Sequence, residues 1–233
     1  MKIAFLTPEY PHPQTGNSAG LGTSIFNLTK GLSALKQEVV ILVYGQKQDK
    51  ILKTKNATIY QIKNVKLKGL SWWLTRQKIE KLINQLYDDQ IIDVLEAPDW
   101  TGITSFIKPK QCPIVIRLNG SDTYFCHLEN RKVKWKNRFH EKRALQKANA
   151  HISVSQFTAE QTNAVFGLNI NFKIIPNGIN TENFQPSTAE KINPKSILYL
   201  GTLIRKKGLL DLPHIFNHII QKEPEAELIL IGK

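Results

Sequence analysis

The chain has 233 residues, 41% of them hydrophobic and 22% charged, which excludes a disordered or collagenous polypeptide and provides for a sizeable core without metal or disulfide staples. Its 32 Lys and Arg against 19 Asp and Glu give a formal charge of +13, which favours anionic partners without choosing among nucleic acid, anionic lipid and phosphorylated ligands. Cys112 and Cys126 form no CxxC pair and stand with no histidine at zinc spacing, so neither a disulfide framework nor a structural metal is expected. Only four apolar residues follow Met1-Lys2 before Thr7-Pro8-Glu9, too few for a signal peptide. No run approaches the roughly 18 to 20 apolar residues of a membrane-spanning helix. The expected location is the cytoplasm, with any membrane contact peripheral at its inner face.

In chain order, short apolar runs at 3–6, 39–43, 57–62, 92–95, 114–117, 150–154 and 172–175 read as strands. They alternate with helical patterns at 21–35, 71–87, 132–147 and 156–166. That alternation predicts a parallel sheet covered by helices on both faces, and the nearly continuous apolar character of the strands agrees with it. Residues 1–176 are therefore expected to form one doubly wound, Rossmann-like α/β domain. The stretch 177–195 is polar and punctuated by Gly178, Pro186 and Pro194, as a connector would be. Residues 196–233 then read as strand 197–200, helix 209–221 and strand 228–231. A single βαβ unit is a poor independent domain, so these residues are expected to open a second domain that the chain carries only in part.

The most suggestive loop is Thr15-Gly16-Asn17-Ser18-Ala19-Gly20-Leu21-Gly22, between the first strand and the first helix. Glycines there let backbone amides approach a phosphate, and a helix start adds partial positive charge. The string also matches the TGxxxGxG pattern of short-chain dehydrogenases. That reading fails on context, because seven residues intervene after Thr7 and no tyrosine has a lysine four positions later. A tight turn without a ligand remains the alternative to a phosphate loop.

Three further segments, taken with that loop, resemble the family 4 glycosyltransferases, retaining enzymes of the two-domain GT-B fold. Lys2-Ile3-Ala4-Phe5-Leu6 and Gly20-Leu21-Gly22 look like the family's first strand and glycine loop. Ile174-Ile175-Pro176-Asn177-Gly178-Ile179-Asn180, with Phe184 and Pro186, resembles its interdomain hinge. Leu198-Tyr199-Leu200-Gly201-Thr202-Leu203, followed by Lys207-Gly208 and Pro224-Glu225-Ala226-Glu227-Leu228, resembles the opening of its donor domain. The resemblance implies a GT-B protein that moves a hexosyl group from a nucleotide diphosphate sugar to an acceptor hydroxyl with retention, in cell-surface glycan synthesis, with no cofactor and no metal. It also implies an E-x7-E motif beyond Lys233, so that this chain alone is expected to be inactive.

Within that resemblance, Lys207 stands at the family's phosphate-contacting lysine. The family arginine expected after Gly201 is replaced by Thr202, which leaves Arg205 to supply a second catalytic cation. Gly20, Leu21 and Gly22 are the donor phosphate-binding residues. Acceptor-binding candidates stand at the carboxyl ends of predicted strands, where open α/β sheets hold their ligands. They are Glu9, Asp99, Asn119 and Asp122, with Glu96 beside them; Asn119-Gly120 replaces the family's His-Gly, and Asn119 cannot act as acid or base near neutral pH.

Residues 131–147 carry eight cations, Arg131, Lys132, Lys134, Lys136, Arg138, Lys142, Arg143 and Lys147, against Glu141 alone. An anionic-membrane face and a solvated basic face with core-facing Trp135 and Phe139 both fit. Trp72-Trp73 reads equally as core, helix anchor or acceptor platform. No nucleic-acid motif accompanies the charge, and the six histidines are scattered without ligand spacing. The partners expected are thus a nucleotide-sugar donor and a sugar or lipid-linked acceptor. The rival to the enzyme is a non-catalytic α/β module that binds polyanions, either anionic lipid or nucleic acid.

Overall fold

In the computed structural model, which describes residues 1–16, 18–183 and 193–232 with Lys206 in its backbone alone, the chain divides into units Met1–Asn180 and Thr181–Lys233. The first unit is built on strands β1 (Lys2–Thr7), β2 (Glu38–Gln46), β3 (Lys50–Lys53), β4 (Thr58–Lys63), β5 (Val94–Pro98), β6 (Ile114–Leu118), β7 (Ala150–Ser153) and β8 (Lys173–Ile174). Their spatial order is β3-β4-β2-β1-β5-β6-β7-β8. All neighbours are parallel except β3 and β4.

Helices α1 (Gly20–Ala34) and α2 (Ser71–Asp88) explain why the strands are apolar on both sides. Side chains alternate across a strand. In β1, Ala4 and Leu6 join Ile79 and Ile83 of α2 in one core, whereas Ile3 and Phe5 join Ile25 of α1 in the other. The chain leaves β1 toward β2 on one side, and β5 pairs with β1 on the other. This reversal creates a crevice outside the carboxyl ends of β1 and β5, where doubly wound sheets bind ligands.

Three more helices complete the unit: α3 (Asp122–Leu128), α4 (Trp135–Lys147) and α5 (Gln156–Phe166). Ser121 and Ser155 cap α3 and α5, each hydroxyl accepting the amide of the third helical residue at 3.1 Å. Gly167, left-handed at φ 60°, closes α5.

The structure corrects the sequence reading in several places. The sheet is not wholly parallel, because β3 adds an antiparallel edge strand whose only apolar residues, Ile51 and Leu52, lie between lysines. Strand β5 begins two residues later than expected. Helix α4 starts at Trp135 rather than 132, since Lys134 is extended. The stretch between Asn119 and Arg131, to which the sequence reading assigns no element, contains α3.

The second unit has strand β9 (Ser196–Leu200), a 3₁₀ turn at Arg205–Lys207, helix α6 (Leu212–Ile220) and strand β10 (Glu227–Ile231). β9 and β10 pair in parallel, Leu198 opposite Ile229. The helix starts three residues later than expected because Asp211 closes a turn onto the Gly208 carbonyl at 3.0 Å. Much of the expected connector, Phe184 and Pro186 included, lies outside the described residues.

Candidate functional site

Beyond β1 the chain turns sharply at Thr7, whose hydroxyl donates to the Glu9 carbonyl at 2.8 Å and accepts the Glu9 amide at 3.3 Å. That turn aims the Glu9 carboxylate at the start of α1, where Oε1 accepts the amides of Ala19 at 3.0 Å and Gly22 at 2.9 Å. A carboxylate at a helix N-terminus satisfies amides that the helix itself leaves unpaired and complements its dipole. The packing around Gly22 is close. A β-carbon on Gly22 would lie 2.1 Å from the Ser18 hydroxyl oxygen and 3.0 Å from the Glu9 carbonyl oxygen. Glu9 and the glycine turn thus form a single structure, with a side chain already seated on the helix start.

At the ends of β5 and β6, Glu96 and Arg117 form a two-pronged ion pair, Nε to Oε1 at 2.6 Å and Nη2 to Oε2 at 3.2 Å. Arg117 is 6% exposed, and its remaining Nη1 donates to the Ile175 carbonyl at 3.3 Å. The Pro176-Asn177-Gly178 segment that follows lies on α1. There Ser24 donates to the Asn177 side-chain oxygen at 3.1 Å and Asn27 to the Gly178 carbonyl at 3.3 Å. Glu96, Arg117 and Asn119 line a narrow cleft with Leu21 and Ser24, whose free space of about 10 Å³ holds at most one water.

Asp99 is buried, 2% exposed, and its carboxylate accepts the Asn119 amide at 2.9 Å. Burial, assisted by the nearby Glu141 charge and opposed by the Asn119 and Gly120 amides, pushes its acid dissociation up to about 7. Gly120 adopts φ +95°, and a β-carbon there would strike the Phe125 ring. Asp122 opens α3 and accepts from the Asn137 side chain at 2.8 Å. Glu141, fully buried on α4, reaches the same helix start and accepts the amides of Asp122 at 2.9 Å and Thr123 at 3.1 Å, with the Thr123 hydroxyl as a third donor. Burial raises its pKa despite these donors.

The structure therefore brings Glu9, Glu96 and Asn119 to the carboxyl edge of the sheet, sets Asp99 beneath that edge, and holds Asp122 in the α3–α4 corner. The sequence reading missed Arg117 and Glu141. A lone arginine inside the apolar run Ile114-Val115-Ile116-Arg117-Leu118 is the signal that could have revealed the first, since a buried cation needs a partner. It also missed Tyr44, near the carboxyl end of β2, whose phenol is pushed up to about 12 by burial against the opposing Thr101 hydrogen bond and Arg76 charge.

In the second unit Arg205 and Lys207 are both exposed on the 3₁₀ turn. The Tyr199 hydroxyl lies 3.2 Å from the Thr202 carbonyl and 3.3 Å from that of Lys207, within donating distance of either. Gly208 ends the turn at φ +77°, a conformation that favours glycine. Among the described residues no group of three His, Cys, Asp or Glu side chains could hold a metal, and no helix is long and apolar enough to cross a membrane.

A family model, Glycosyltransferase Family 4, matches residues 18–183. No relative was found among curated proteins. Among solved structures, the sucrose-phosphate synthase of Thermosynechococcus elongatus is similar over all of this chain and 62% of its own, at 14% identity and a TM-score of 0.69. An E. coli trehalose-6-phosphate structure bound with UDP-2-fluoro glucose is similar over all of this chain and 64% of its own, at 12% identity and a TM-score of 0.63. The α,α-trehalose-phosphate synthase of Burkholderia xenovorans, in complex with glucose-6-phosphate, gives 10% identity, all of this chain and 66% of its own, and a TM-score of 0.60. The chain thus spans just under two thirds of the length of the structures it matches, and the likeness assigns its fold to the GT-B type.

Proposed function

The chain belongs to glycosyltransferase family 4, and from that premise we propose that the whole protein transfers a hexosyl group from a nucleotide diphosphate sugar to an acceptor hydroxyl, with retention and without a metal, in the synthesis of a cell-surface glycan in the cytoplasm. The observation that supports it most is the Gly20-Leu21-Gly22 turn at the start of α1, on the carboxyl edge of a parallel sheet beside the β1–β5 reversal. Amides at such a turn suit the donor diphosphate. Lys207, with Arg205 in place of the arginine missing at Thr202, would neutralise the charge that grows on the departing diphosphate.

On the acceptor side, Glu9 and Asn119 offer polar groups at the same edge, Asp122 offers its carboxylate from the α3–α4 corner, and Asp99 acts through the Asn119 amide that it holds. Glu9 has a double part in this reading. Its carboxylate shapes the glycine turn, and it also sets a negative charge where the donor phosphate approaches. Donor binding is then an exchange of one anion for another at the helix start rather than a simple addition.

Activity of the whole protein tests the proposal. Lys207→Ala should lower kcat by about a hundredfold to a thousandfold with a smaller change in KM, because the contact strengthens as charge develops. Arg205→Ala should show a similar loss if it replaces the family arginine. Wild-type kcat in Lys207→Ala would overturn the phosphate assignment, and an absence of transfer from every common nucleotide sugar would overturn the function.

A further inference from the structure

We propose that the amino-terminal ends of α2 and α4 together form a landing surface for an anionic membrane. Trp72 of α2 and Phe139 of α4 both pack on Phe106, at ring-centre distances of 5.5 and 6.2 Å, and both also meet the His140 ring, at 5.6 and 5.4 Å. Two segments more than sixty residues apart in sequence are thereby joined into one aromatic surface. Its outer face is open to solvent. Phe139 is 48% exposed, Trp135 one turn earlier is 71% exposed, and Trp73, Leu67 and Leu70 are exposed around the start of α2. Exposed large apolar side chains at both helix starts, with the two starts joined through Phe106, mark an interaction surface rather than scattered exposure.

The charge around this surface is predominantly positive, Glu129 being paired with Arg131. No Asp or Glu occurs from residue 50 to 79. From 130 to 159 there is only Glu141, and it is fully buried and engaged at the start of α3. Arg76 and Arg143 turn inward, donating to the Ile103 and Ser105 carbonyls at 3.0 and 2.8 Å. Lys66, Lys68, Lys132, Lys134 and Lys136 are exposed, and among the described residues none of them has a carboxylate partner. Tryptophan and leucine set among unpaired lysines is the chemistry of a bilayer interface, where rings settle at headgroup depth and cations meet anionic lipid. A protein partner would have to bring both carboxylates for these lysines and an apolar groove for Leu67 and Leu70, whereas an anionic bilayer supplies both at once. Single-stranded nucleic acid would use the rings and lysines but not the leucines.

The surface also has a defined position relative to the candidate site. A helix that follows a parallel strand starts at the sheet's carboxyl edge. Helix α2 follows β4, and α4 follows β6 by way of α3. The landing surface therefore occupies the same edge as Glu9, Glu96 and Asn119, and docking would turn that edge toward the bilayer. The inference that the acceptor is lipid-borne rests on the transferase reading; the membrane contact itself does not.

The test is co-sedimentation of the 233-residue chain with vesicles of phosphatidylcholine, with and without phosphatidylglycerol, at about 100 mM salt, where surface charges still act over about 10 Å. Tryptophan emission is followed in parallel. Binding is expected to the anionic vesicles alone, with emission shifted to the blue. Trp73→Ala with Trp135→Ala should remove most of the shift, and each of Lys132→Gln, Lys134→Gln and Lys136→Gln should weaken binding about fivefold. All these side chains are exposed, so an unchanged melting curve verifies that each variant is folded. Failure to sediment with anionic vesicles would overturn the proposal. So would sedimentation that the tryptophan variants leave intact, or tighter binding to single-stranded RNA than to the vesicles. Vesicle binding by a protein that transfers no sugar would sustain the surface and sink the transferase reading; transfer without vesicle binding would do the reverse.

Discussion

Within these 233 residues, the two units use the same kind of strand and put it in opposite environments. In Met1–Asn180, β5 and β6 are apolar runs whose Leu95 and Ile116 are fully buried, because helices cover both faces of the sheet. In Thr181–Lys233, β9 and β10 are equally apolar, yet Leu200 is 71% exposed, Ile229 and Leu230 are exposed, and α6 has no buried residue. Composition sets what a strand can bury, but the number of layers around it sets what it does bury. The polar contacts follow the same division. Glu96–Arg117 is two-pronged and almost wholly buried, whereas Lys195, with Glu225 at 2.6 Å and Glu223 at 3.6 Å, stands in solvent.

Three measurements would break or sharpen this contrast. The largest difference should come from the ion pairs. Arg117→Ala leaves the Glu96 charge buried and the Ile175 carbonyl without its donor, and should cost about 3 to 5 kcal/mol in urea denaturation. Lys195→Ala in the second unit should cost at most about 1 kcal/mol. Next come the apolar residues. Leu95→Ala should cost about 2 to 5 kcal/mol and Leu200→Ala within about 0.5 kcal/mol; equal losses would show that the second sheet is covered in solution.

The third measurement is one of pH. Asp99 is ordinarily expected to titrate near 3.9 when unfolded and is held up to about 7 when folded. The native state therefore binds the extra proton between those values, and stability from this group is present at the acid end and falls as pH rises toward 7. Glu141, also raised, contributes in the same direction. Asp99→Asn keeps an oxygen for the Asn119 amide and should flatten, but not abolish, the fall in melting temperature from pH 4.5 to 7. An identical slope in the variant would show that Asp99 is not the group responsible.

Much of the fold was legible because buried parallel strands need apolar residues on both faces, and Ile3 to Leu6 or Val39 to Val43 satisfy that without interruption. Strand β3 was not, since two apolar residues between lysines give no period to read. Helix α3 was hidden because it is only seven residues long and its first residue, Asp122, stood among the acceptor candidates; a serine cap and a helix-start carboxylate are made from the same residue types as a polar site. The site itself was legible as an edge rather than as a set of contacts. Glu9 and the glycine turn were each visible, but that one accepts the other's amides depends on how Thr7 bends the chain. Likewise Trp72 and Phe139 read as separate aromatic stretches until Phe106 joins them.

The ends of the large sheet have a consequence for how copies of the chain meet one another. A sheet of eight strands presents two outer backbones, each able to recruit a strand from another molecule. Here one is β3, four residues long with a lysine at each end, and the other is β8, only two residues long. Neither offers a long flat run of unpaired amides and carbonyls, and any copy approaching β3 brings lysine against lysine. The large sheet, with so many β-branched segments, is thereby protected from stacking edge to edge.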